Sequence, residues 1–109
     1  MNLYEYHTSG GKNVILEYID NLPKSEKFVA YAIRQKLKIK GLNALDELNT
    51  RQLKGKLWEI KFSQNRLMYV VADKDNMYIV HACKKQKDKA EKFEMQTAIS
   101  RAKQLGFNI

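Results

Sequence analysis

Leu57-Trp58-Glu59-Ile60-Lys61-Phe62-Ser63, then Gln64-Asn65, then Arg66-Leu67-Met68-Tyr69-Val70-Val71-Ala72 is the stretch that decides the fold. Both runs are rich in β-branched, aromatic and aliphatic residues, and polar turn formers separate them. A third run, Met77 to Cys83, follows after Asp73-Lys74-Asp75-Asn76. Three such runs at short spacing predict an antiparallel meander. In the first, Trp58, Ile60 and Phe62 alternate with Glu59, Lys61 and Ser63, so the apolar set is expected on the core face, joined by Leu67, Tyr69 and Val71. Keeping these sets on one face requires an odd register sum. A two-residue turn at Gln64-Asn65 meets it, pairing Phe62 with Leu67 and Lys61 with Met68. A turn at Lys74-Asp75 pairs Val71 with Tyr78, Met68 with His81 and Arg66 with Cys83. Glu59, Lys61, Arg66, His81 and Lys85 then share one face.

Working outward, residues 42 to 56 read as a loop with a helical turn. Before them, Phe28, Val29, Ala32, Ile33 and Leu37 recur at helical spacing from a Pro23 start to an end near Gly41. Val14, Ile15, Tyr18, Ile19 and Leu22 form an earlier helix, stopped at Leu22-Pro23. The two predict a helical hairpin. Residues 2 to 7 alternate loosely, as a short strand does. After the meander, Asp88-Lys89-Ala90-Glu91 has capping-box spacing, and a helix is expected through Phe93, Ile99, Ala102 and Leu105 to Gly106. The expected fold class is α+β in the order β-α-α-β-β-β-α: an N-terminal strand and helical hairpin packed on a mainly antiparallel sheet. A chain of 109 residues with 44% hydrophobic content fits one domain, residues 1 to 109.

The formal charge is +8, and residues 51 to 92 hold 11 Lys/Arg against 5 Asp/Glu. Six of the eight excess charges therefore lie in and around the meander, which points to a polyanionic partner. Cys83 is the only cysteine, which suits a reducing cytosol and leaves no intrachain disulfide and no Cys-based zinc site. No run approaches the ~20 apolar residues of a membrane span, and the N-terminus lacks a leader pattern, so a cytoplasmic protein without a membrane partner is expected. There is no Gly-rich phosphate loop, no zinc-ligand cluster in the sequence pattern and no His-x-x-x-His pair. One cysteine with two distant histidines argues against a Cys–His nucleophile.

What remains is a set of cations on adjacent strand positions and in the following turn: Lys54, Lys56, Lys61, Arg66, Lys84, Lys85 and Lys87, with Lys89 next to them. Arginine grips two phosphate oxygens in a fixed fork, and lysines act as mobile point charges. Lys61 and Arg66 stand out because strand neighbours hold them in place, and held charge is what phosphoryl chemistry needs.

Leu53-Lys54-Gly55-Lys56-Leu57-Trp58-Glu59-Ile60-Lys61-Phe62, Asn65-Arg66-Leu67-Met68-Tyr69 and Ile79-Val80-His81-Ala82-Cys83-Lys84-Lys85-Gln86-Lys87 together resemble the RelE/HigB toxin superfamily. The closest likeness is to its HigB-like, phage-associated branch. The patterned region covers residues 53 to 87; outside it the resemblance rests on element order. The resemblance implies a RelE-like fold and the toxin of a type II toxin–antitoxin system, a ribosome-dependent messenger-RNA endoribonuclease that inhibits translation. Its partners are then the ribosome, messenger RNA and a HigA-like antitoxin with a helix-turn-helix domain. Operator DNA is reached only through that antitoxin. The implied chemistry is metal-independent and cofactor-free: the ribose 2′-hydroxyl attacks the adjacent phosphorus, leaving a cyclic phosphate and a free 5′-hydroxyl.

By position, Arg66 resembles the family arginine that holds the scissile phosphate. Lys61 stands where relatives usually carry arginine, and Lys84, Lys85 and Lys87 match the basic run after the last strand. Lys54, Lys56, Lys87 and Lys89 are expected to contact RNA. Arginine cannot act as the base. That leaves His81, or Lys84 and Lys85 as mutually repelling cations, to move protons. The chain departs from relatives that use a late tyrosine, since no tyrosine follows Tyr78. Two rivals stand beside this reading: a ParE-like gyrase poison, and a non-catalytic basic RNA-binding module. The basic strand residues argue against the first, and the core-side placing of Trp58, Phe62, Tyr69 and Tyr78 against the second.

Overall fold

A computed structural model describes all residues from Met1 to Ile109. In chain order the elements are β1 (Asn2–Glu5), α1 (Val14–Asp20), α2 (Lys24–Lys40), a 3₁₀ helix (Gly41–Glu47), β2 (Asn49–Lys54), β3 (Leu57–Phe62), β4 (Asn65–Asp73), β5 (Asn76–Lys84) and α3 (Asp88–Gln104). The sheet order is β1-β5-β4-β3-β2. β1 runs parallel to β5, and every other pair is antiparallel. This is the expected α+β architecture with one strand more. β2 lies inside the segment expected as a loop with a helical turn; the turn is there as the 3₁₀ helix, and the strand follows it.

The β3–β4 hairpin keeps the expected faces in a shifted register. Phe62 pairs with Asn65 and Lys61 with Arg66, so the turn is Ser63-Gln64 rather than Gln64-Asn65. Ser63 takes the left-handed backbone (φ 51°) that a tight hairpin requires. The register sum changes by two and stays odd, so no side chain changes face. Across the next turn Met68 pairs with His81 and Arg66 with Cys83 as expected, but an irregularity after Met68 puts Val71 opposite Met77 instead of Tyr78, so Tyr78, expected on the core side with Tyr69, pairs with Val70 and packs on the opposite face of the sheet.

Both faces of the sheet are covered. On one side Ile60, Phe62, Leu67, Tyr69, Met77 and Ile79 pack against Ile15, Ile19 and Leu22 of the α1 region and Ala30, Ile33 and Leu37 of α2. On the other, Leu57, Met68, Val70, Val80 and Cys83 pack against Ala98, Ile99 and Ala102 of α3. Four consecutive β4 residues, Leu67 to Val70, are buried for that reason. Trp58, expected in the core, is 37% exposed and lines an open groove with Leu45, Thr50, Tyr69 and Val71. In α2 the buried line runs through Ala30, Ile33 and Leu37, leaving Phe28 and Val29 outside. Phe93 and Leu105 of α3 are exposed as well.

Caps fix the ends of the hairpin. Asn13 Oδ1 accepts from the amides of Ile15 and Leu16 at 3.0 and 2.9 Å, satisfying the first turn of α1. β1 is tied to α2 by Glu5 and Arg34, whose fork donates Nε to Oε2 at 2.6 Å and Nη2 to Oε1 at 2.9 Å. The expected capping box of α3 does not form. Asp88 sits at φ 52° and makes no cap bond, while Glu91 turns to Arg51 at 2.5 Å. No helix is long and apolar enough to cross a membrane.

Candidate nucleic-acid interface

The end of β3, the start of β4, the end of β5 and the first turns of α3 surround a polar cleft. Lys61, Arg66, Lys84, Lys85 and Lys87 line it, together with Arg51, Gln86, Glu59, Asp88, Glu91 and Glu94. The short hairpin at Ser63-Gln64 places Lys61 and Arg66 directly opposite each other. The chain leaving β5 then carries Lys84, Lys85 and Lys87 along the rim. Six cations face four carboxylates there, so the cleft keeps positive charge for an anion.

Arg66 is held rather than free. Its side chain is 13% exposed, Nη1 donates to the Asn65 carbonyl at 2.8 Å, and Nε lies 3.9 Å from Glu59 Oε2. Asn65, expected in a turn, is instead a fully buried hub. Its Nδ2 donates to Glu26 at 2.7 Å, and its Oδ1 accepts from the Tyr18 hydroxyl at 2.6 Å and from Lys84 Nζ at 2.9 Å. Burial holds the Tyr18 phenol well above its ordinary range, with Cys83, Glu26 and Glu94 adding to the shift, so it stays a donor. Through Asn65, both helices of the hairpin orient Lys84 at the cleft.

Glu59 forms the floor. It is 1% exposed, and Oε2 makes no directed hydrogen bond. Arg51 Nε is 2.8 Å from that oxygen, an ionic contact out of line for hydrogen bonding. Arg51 gives its directed bond to Glu91, whose carboxylate raises the guanidinium further above its usual range. One buried carboxylate thus sits between two guanidinium groups, each of which has other partners.

His81 lies outside the cleft lining, at the α3 side of β5. Its Nε2 meets Glu94 Oε2 at 2.5 Å, and Arg101 Nη1 donates to Nδ1 at 3.0 Å. With Nδ1 accepting, Nε2 carries the proton and donates to Glu94. Burial lowers the His81 pKa against the opposing pull of Glu94. The lowering agrees with the geometry, because an imidazolium would set an Nδ1 hydrogen against the Arg101 donor. Both ring nitrogens are therefore occupied. Cys83 is pushed up to about 12, first by burial and then by the Glu94 charge, so its thiol is neutral.

The fold thus brings five of the nine expected residues into one cleft and leaves four elsewhere. Lys54 and Lys56 lie exposed at the β2–β3 turn, Lys56 beside Trp58, and Lys89 is exposed on α3; none of the three lines the cleft. The sequence reading missed Arg51, Asn65, Glu91 and Glu94. Arg51 sits on the unexpected strand opposite Glu59, and the i, i+3 spacing of Glu91 and Glu94 was the one available sign that both face the sheet. Against the sequence expectation of no such cluster, His81, Cys83 and Glu94 gather ligand-type atoms within 4.8 Å of one another, the one group of that kind in the chain.

No curated protein matches the chain. Residues 17–103 match the family described as phage derived protein Gp49-like (DUF891), a span that includes the end of α1, all of α2, the meander and nearly all of α3. With the greater part of its length so matched, the chain belongs to the Gp49-like family of phage-derived proteins.

Proposed function

We propose that this Gp49-like protein is the toxin of a type II toxin–antitoxin system and cleaves messenger RNA at the ribosome. The observation that carries the reading is the held Arg66 guanidinium facing Lys61 in a cleft whose rim is Lys84, Lys85 and Lys87. Transfer to a 2′-hydroxyl needs fixed positive charge where the phosphorane develops, because preorganised charge costs no reorganisation during the reaction. Arg66 binds the scissile phosphate, Lys61 adds a second charge beside it, and Lys85 and Lys87 follow the backbone on either side. Lys84, fixed by Asn65, sets the edge of the phosphate site. His81, engaged at both nitrogens, packs between β5 and α3 behind the cleft instead of moving protons. The family match to phage-derived proteins supports the toxin reading, and the excess of cleft cations supports an RNA substrate. A helix-turn-helix antitoxin that covers or distorts this cleft is the expected neutralising partner.

Primer extension on cellular messenger RNA after induction tests the proposal. New 5′ ends inside coding regions are expected within minutes of induction. Intact messages accompanied by DNA damage would overturn it in favour of gyrase poisoning.

A further inference from the structure

We propose that His81, Cys83 and Glu94 form a three-donor site for a divalent ion of the zinc class, set between β5 and α3 in the wall of the cleft. This inference is independent of the ribonuclease reading. His81 and Cys83 are two residues apart on β5, so their side chains leave the same face of the sheet. Glu94, in the second turn of α3, closes over them and meets His81 Nε2 at 2.5 Å. All three donor atoms lie within 4.8 Å of one another. In tetrahedral zinc, with bonds of about 2.0 to 2.3 Å, donors stand roughly 3.3 to 3.8 Å apart. The pair at hydrogen-bond distance must open and the widest pair must close, each by about an ångström, within reach of side-chain rotation.

The donor set selects the ion. One imidazole, one thiol and one carboxylate suit zinc, whereas calcium and magnesium need cages of oxygen. Charge favours it too. Zinc with one thiolate and one carboxylate sums to zero, so the occupied site buries no net charge even beside Arg66 and the lysines. Cys83 and Glu94 border the cleft, which supplies an entry path and leaves a fourth position for water. Binding exchanges the thiol proton for the ion, releasing one proton, and moves the histidine proton from Nε2 to Nδ1.

That last step gives Arg101 a part. Its Nη1 donates to Nδ1 at 3.0 Å and to the Val80 carbonyl at 3.1 Å, so a protonated Nδ1 would face a donor. Metal-bound histidines usually give this proton to an acceptor. Arg101 must therefore withdraw toward Tyr6, over whose ring its guanidinium already lies at 4.7 Å. Arg101 weakens the site, and a glutamine there, offering a carbonyl, strengthens it.

Titration of the purified full chain with cobalt(II) and zinc(II) tests this. One ion per chain is expected, with a thiolate-to-cobalt charge-transfer band in the near ultraviolet that zinc abolishes. Cys83→Ser should lose the band and bind zinc at least about tenfold more weakly, and Arg101→Gln should bind about tenfold more tightly, the lower end of outer-shell effects. The wild-type cobalt spectrum needs no variant to fold: a wild-type protein without the band overturns the site. Equal zinc affinity in wild type and Cys83→Ser overturns it too, by moving the ion to surface groups. Equal or weaker binding by Arg101→Gln overturns the part given to Arg101.

Discussion

Glu5 and Glu59 are both buried carboxylates beside arginine, with side chains 6% and 2% exposed, yet their surroundings are built differently. Glu5 takes both prongs of Arg34 and a third donor, Asn13 Nδ2 at 3.2 Å. Each charge there has one partner in matched geometry. Glu59 lies between Arg51 and Arg66, has one oxygen without a directed bond, and leaves both guanidinium groups partly committed elsewhere. A matched pair holds two elements together and has nothing left to offer a ligand. An outnumbered carboxylate keeps cations in position while leaving their donors facing the cleft. Geometry and stoichiometry, more than burial, separate the structural pair from the site.

The largest effect should come from breaking the matched pair. Arg34→Ala strands Glu5 without its counter-ion, and removing one partner of a buried pair costs about 3 to 5 kcal/mol. Urea unfolding should show that loss. A change below about 1 kcal/mol would mean the pair is not what ties β1 to α2. Arg66→Ala should leave stability nearly intact, because Arg51 still faces Glu59, and should lower RNA cleavage by about 10²- to 10³-fold, the size of effect seen when one preorganised donor is lost. A folded Arg66→Ala protein with full cleavage would remove Arg66 from the phosphate.

Replacing each carboxylate by its neutral amide sharpens the contrast. Glu59→Gln keeps the shape and removes an anion from a cationic cleft, so RNA should bind more tightly and with a steeper salt dependence. Each further phosphate neutralised on a single strand adds about 0.7 to that slope. Fluorescence anisotropy of labelled RNA over a salt series measures both. Glu5→Gln should change neither, and should lose stability instead.

The part of this contrast that was legible in the sequence is the part carried by alternation. Which face Lys61, Arg66 and Ile60 occupy depends only on parity, and parity survived a turn shifted by one residue at Ser63. The turn itself was misplaced because Gln64-Asn65 looks the better turn, whereas Asn65 is held inside by Tyr18, Glu26 and Lys84, partners from other elements. β2 escaped notice because it is an edge strand with Leu53 as its one apolar residue, interrupted by an irregularity between Gln52 and Lys54. With β2 went Arg51. Glu59 read as an ordinary outward residue because the second face was expected open. It is closed by α3, whose buried side chains are mostly small, Ala98 and Ala102 beside Ile99, and so leave a faint trace in the sequence.

The smallest expected effect concerns Lys61, which faces Arg66 across the hairpin and is half-buried. An ammonium is a point charge without the planar fork that fits two phosphate oxygens, so it contributes less than arginine at the same place. Lys61→Ala should cost about tenfold in cleavage, near 1.4 kcal/mol of transition-state stabilisation. Lys61→Arg should increase cleavage by a few-fold, since on the role proposed for Arg66 a second fork could share its phosphate. Single-turnover cleavage of a defined messenger measures both. If Lys61→Ala falls as far as Arg66→Ala, the two cations act as one unit, and the phosphate sits between the strands instead of on Arg66. If Lys61→Arg is slower than the native protein, the limit lies in space: a second guanidinium would crowd Arg66 above Glu59, the same shortage of matching anions that sets this end of the sheet apart from Glu5.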